Sequence, residues 1–126
     1  MASFIQELHT WVNAQTWVPG VIQFNVSPLK PPYPYFTMVP VGDPGVPRNL
    51  CATDEGQTVV QFNGYSTDRY SLYEQMDELR KDILLARNNI SNYSLWDIRT
   101  TGLAAFGTED ELIYRYLFEL TAFWEA

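Results

Sequence analysis

Two segments of the chain carry apolar residues at helical spacing, and several others carry them at every second position. Between Ser3 and about Gln15, the residues Phe4, Ile5, Leu8, Trp11 and Val12 share one stripe. Ser3 and Gln6 have the spacing of a capping box, in which each side chain satisfies a free backbone N–H of the other residue. Pro19-Gly20 ends this region with a turn. A second helix is predicted from Thr67 or Asp68 to about Arg87. Leu72, Met76, Leu79, Ile83 and Ala86 recur there at alternating steps of four and three, with Asp77, Glu78, Lys81 and Asp82 on the solvent side.

Period-two segments predict strands. Ile22, Phe24 and Val26 alternate with Gln23 and Asn25. Tyr35 to Val41 is aromatic and β-branched, and Pro40 near its end suits an edge or an early stop. From Gln57 to Tyr65, Val60 and Phe62 take one face and Val59, Gln61 and Asn63 the other. Trp96, Ile98 and Thr100 alternate with Asp97 and Arg99, and Gly102 to Phe106 continues that strand. Glu111 to Trp124 is the ambiguous stretch. Read at period two it places Leu112, Tyr114, Tyr116, Phe118, Leu120, Ala122 and Trp124 on one face, and its aromatic content favours a long strand over a helix.

Proline keeps Pro28 to Pro34 extended. Gly42 to Gly56 reads as a long linker, with room for a hairpin near Asn49 to Thr53, so a functional loop is expected at about 42–57. The resulting order is α-β-β-β-α-β-β in one domain, 1–126. Burying both helical stripes calls for an α+β fold, an antiparallel sheet with two helices packed on one face.

Charge and composition narrow the function classes. Fifteen acids against eight bases leave a net charge of -7, which argues against gripping nucleic acid, since duplex binding relies on Lys and Arg neutralising phosphates. It does not argue against standing beside DNA that must slide. No apolar run is long enough to span a bilayer, and the start of the chain lacks the pattern of a secretory signal, so no membrane partner is expected. The lone Cys51 excludes an internal disulfide and fits a reducing cytoplasm. Aromatic residues make up 15% of the chain, enough to supply a subunit interface as well as a core.

Reactive constellations are missing. The single histidine, His9, falls at the boundary of the first helical stripe, where a surface role is the ordinary one, and Cys51 has no CxxC partner for zinc or redox work. Asp54-Glu55 and Glu109-Asp110-Glu111 are acidic clusters that an acid/base or cation site could draw on, and neither has a calcium-loop pattern. The expectation is a protein that is not an enzyme, with no catalytic residues, metal or cofactor.

One larger pattern remains. A short amino-terminal helix precedes a proline-rich lead into an aromatic strand, Pro31-Pro32-Tyr33-Pro34-Tyr35-Phe36-Thr37-Met38. A loop follows, then Gln57-Thr58-Val59-Val60-Gln61-Phe62-Asn63-Gly64-Tyr65-Ser66, an amphipathic helix directly after it, and a closing aromatic strand. In order and length, over nearly the whole chain, this resembles the tail-completion and tail-terminator proteins of long-tailed phages. The resemblance implies a structural virion protein, assembled in the host cytoplasm as a homo-oligomeric ring, commonly a hexamer. Such a ring sits at the head-proximal end of the tail tube, where it stops polymerisation of the tube protein and docks onto the head connector. A head-completion or stopper protein of the phage neck is the nearest alternative, and a cytoplasmic binding module of unrelated role is a different one. In a ring, acids would line the passage so that DNA slides without being held. Asp54 and Glu55 are the first candidates for that lining and Glu109, Asp110 and Glu111 the second, since loops reach an axis that packed helices cannot.

Overall fold

The computed structural model describes residues 3–18, 20–24, 33–42, 55–107 and 113–126. Helix α1 runs Phe4–Asn13 and starts as the capping box requires: the Gln6 amide nitrogen donates to Ser3 Oγ at 3.3 Å, and the Ser3 amide donates to Gln6 Oε1 at 3.0 Å. Strands β1 (Ile22–Phe24), β2 (Tyr35–Gly42) and β3 (Glu55–Ser66) follow. Helix α2, Arg69–Asp82, is capped by the Asp68 side chain, which accepts from the Ser71 amide. It tightens into a 3-10 segment over Ile83–Asn88, so the helical pattern read to about Arg87 changes its winding, not its buried side. The chain closes with β4 (Ser94–Thr100), β5 (Ala104–Gly107) and β6 (Tyr114–Glu125).

The fold is α+β: two helices on a six-stranded sheet of order β1-β2-β3-β6-β4, with β5 also on β6. β3 and β6 form its spine, antiparallel over twelve residue pairs from Glu55↔Glu125 to Ser66↔Tyr114. Three features differ from the sequence pattern. β1 pairs parallel to β2, which makes the sheet mixed, and parallel neighbours cannot be joined by a tight hairpin. β3 starts at Glu55 and β2 reaches Gly42, so strand occupies both ends of the expected 42–57 loop; residues 43–54 lie outside the described ones. The Gly102 to Phe106 stretch is a separate strand in line with β4, each taking a different part of the same side of β6.

Both helices pack on one face of the sheet. Phe4 of α1 stacks on Trp124 of β6, with ring centroids 5.5 Å apart, while Leu72 and Met76 of α2 close over Gly64 of β3. The stripe Leu72, Met76, Leu79, Ile83 and Ala86 is buried, together with Phe36, Met38, Val60, Phe62, Phe118, Leu120 and Ala122 from the sheet. Phe62 and Phe118 are register partners and stack at 5.1 Å, tying the β3–β6 spine to the core. Pro40 stands past the short pairing of β1 and beside the bulge between Pro40 and Gly42, where a missing N–H is tolerated.

Candidate assembly surfaces

With both helices on one face, the opposite face of the sheet is uncovered among the described helices. Alternation along β2, β3 and β6 places Tyr35, Val39, Gln61, Tyr65, Arg115, Leu117, Glu119 and Phe123 there, all half-buried, with Thr37 and Asn63 buried among them. Two ring clusters form on this face. Tyr35 and Tyr65, a cross-strand pair, stack at 4.5 Å, and the Arg115 guanidinium lies 5.7 Å from the Tyr65 ring centre. Burial, with Tyr65 beside it, pushes the Tyr35 phenol above its ordinary range. Arg115 also donates from Nε and Nη2 to Asn63 Oδ1, at 3.1 and 2.8 Å, and the Asn63 amide group donates to Gln61 Oε1. Toward the β4 edge, Trp96 packs on Phe123 at 4.8 Å, with Arg99 over the same phenylalanine and paired to Asp97 at 2.7 Å. Rigid rings with held arginines are the composition of protein interfaces. The sequence showed the aromatic surplus but not these clusters, because each needs the register of two strands to bring its members together.

A cavity of about 450 Å³ opens between the start of α1 and the sheet, lined by Phe4, Ile5, Val41, Thr58, Tyr93 and Trp124. Its wall is aromatic: Tyr93 meets both Phe4 and Trp124 edge-on. The Trp124 indole N–H is taken by Thr58 Oγ1 at 2.9 Å, so the polar group that the lining buries is already satisfied.

His9 is engaged in structure. Its Nε2 lies 2.7 Å from the Ile22 carbonyl oxygen, which requires that nitrogen to carry the hydrogen and donate it. Asn13 holds the same residue from both sides, accepting from the Ile22 amide at 2.9 Å and donating to its carbonyl at 3.3 Å. Together the two side chains hang the three-residue β1 on α1. Among the described residues, no group of three His, Cys, Asp or Glu side chains comes close enough to hold a metal ion. No helix of the described residues is long and apolar enough to cross a membrane.

The predicted lining acids fall mostly outside the described residues: Asp54, Glu109, Asp110 and Glu111 are among them, and so is Cys51. Glu55 opens β3 in register with Glu125. β5 ends at Gly107, and β6 begins at Tyr114 in register with Ser66. Glu55 and Tyr114 therefore stand at opposite ends of the β3–β6 ladder, roughly 35 Å apart at the usual rise of a strand.

No known family model matches this chain, and no curated protein does. Among solved structures it is similar to a chain of the virion of a native gene transfer agent particle, with a TM-score of 0.67 and 11% sequence identity. The match covers 94% of this chain and 92% of that one. At that identity the likeness is one of fold.

Proposed function

We propose that this chain is a structural protein of a phage-type virion, a tail terminator that forms a ring at the head-proximal end of the tail tube, stops tube polymerisation and joins tail to head. The observation that carries this reading is the fold likeness to a virion chain over more than nine-tenths of both chains. It agrees with the tail-terminator resemblance that the order and spacing of elements suggest. An aromatic sheet face free of the helices supports it, since a ring subunit must offer neighbours a surface that its own core does not consume. In this role the chain catalyses nothing and holds no cofactor. Its partners are copies of itself, six by the resemblance, the tube protein, and the connector or neck of the head.

Acids lining the passage belong to the same proposal. Duplex DNA carries about one negative charge per 1.7 Å of axis, so a basic wall would bind it and an acidic wall keeps contacts few. Repulsion reaches roughly 8–10 Å at physiological salt, which suits a passage little wider than the duplex. Asp54 with Glu55 is the first choice for this lining, and Glu109, Asp110 and Glu111 the second. Reversing both to lysine is expected to leave particles assembled but slow DNA ejection. Fully infective double-mutant particles would show that these acids do not line the passage.

The role itself is tested by adding purified protein to polymerising tail tubes and, separately, to DNA-filled heads without tails. A terminator caps tubes at one end and fixes their length. A protein that ignores tubes but seals the heads is the neck stopper instead.

A further inference from the structure

The outward side of α2 and the 3-10 segment after it has an order of its own. Opposite the buried stripe, Tyr70, Glu74, Asp77 and Lys81 line up along one side of α2 at helical spacing, flanked by Tyr73, which meets Tyr116 of β6 edge-on, and by Leu84 and Leu85 of the 3-10 segment. Tyr70 is 81% exposed, Leu85 56%, Tyr73 47% and Leu84 40%. The large apolar groups thus stand at the two ends and the charges in the middle. Asp77 is already neutralised by Arg80 at 2.9 Å and Lys81 at 2.8 Å. Lys81 is 64% exposed, which leaves its ammonium room for a second partner, and among the described residues Glu74 has no ion-pair partner.

We propose that this stripe is a self-recognition surface through which two copies pair with α2 antiparallel to α2, about a two-fold axis near Asp77. The charge pattern selects both occupant and direction. Turned end for end, the stripe sets Tyr70 of one copy on Leu85 of the other and Glu74 on Lys81, each contact occurring twice. A parallel pairing sets Glu74 on Glu74 and Lys81 on Lys81, like on like. Antiparallel helices also oppose their dipoles favourably. One helix face buries less than a standard interface, so the pairing is weak and reversible. It does not rest on the virion reading, since a chain of any function carrying this stripe would pair in the same way.

Sedimentation equilibrium of the full chain over a range of concentrations tests it, using charge reversal and its rescue. Lys81→Glu and Glu74→Lys are each expected to weaken dimerisation at least about tenfold, by setting like charges across the axis. The double variant Glu74→Lys/Lys81→Glu restores the pair and should return to within about threefold of the unaltered chain. Leu85→Asp, outside the charge pair and exposed, should also weaken it. These positions lie away from the core, so the fold persists in each. A chain that stays monomeric up to millimolar concentration overturns the proposal, as does a dimer that the single reversals leave unchanged or that the double swap fails to rescue.

Discussion

Trp124 governs what can stand opposite it. Its indole lies across Gly56, its register partner, stacks on Phe4 and donates to Thr58, so it is held on several sides. A Cβ at Gly56 would overlap that ring. A Cβ at Gly64 would meet Met76 Sδ at 2.7 Å and Leu72 Cδ1 at 2.9 Å, the far ends of side chains that can give way. Gly56→Ala should therefore cost about 1–3 kcal/mol or more, and Gly64→Ala measurably less, in urea denaturation. Equal costs would mean that Trp124 is free to swing off the strand. The helix cap is the other residue-scale test: Asp68→Ala should cost about 1 kcal/mol, as lost caps do. Asp77 adds a pH dependence of known sign. Hydrogen bonds from Lys81 and Arg80 hold its carboxyl below the usual carboxylate value of 3.8, so its small contribution is present above that pH and lost as pH falls through the lowered value. Asp77→Asn should flatten the acid limb of the stability profile.

At the scale of elements, α2 gives the sharpest prediction. Leu79 is 1% exposed, and Leu79→Ala should cost about 2–5 kcal/mol by thermal or chemical unfolding. A change below about half a kcal/mol would place that helix face elsewhere. Both helices were legible in the sequence, because a stripe such as Leu72, Met76, Leu79, Ile83 reports its own burial and Ser3 and Gln6 report their own cap. The long β6 was legible for a similar reason, its apolar residues alternating over Tyr116, Phe118 and Leu120. What local pattern does not carry is partnership. Glu55 and Gly56 are strand because Glu125 and Trp124 stand beside them, and β1 runs parallel because of where the chain returns at Tyr35. The ring clusters on the outer sheet face were illegible on the same ground: Trp96 and Phe123 are far apart in sequence and meet only through the β4–β6 register.

For the whole molecule, the layer arrangement sets what assembly can look like. One face of the sheet is committed to the helices, and the other displays Tyr35, Tyr65, Phe123 and Trp96 with two arginines held against them. Contacts through a surface that is not its own complement repeat from copy to copy and close into a ring when the rotation allows. Phe123→Glu, on that face and away from the helices, should leave the subunit folded and reduce assembly. Circular dichroism together with native mass spectrometry would check both halves of that expectation. The most direct test of the account is the mass and shape of the unaltered protein at assembly concentration, by native mass spectrometry and negative-stain imaging of the same sample. Closed rings of several copies, with an open centre wide enough for duplex DNA, are predicted. A preparation holding only single chains and pairs, at every concentration and in the presence of tail tubes, would contradict it.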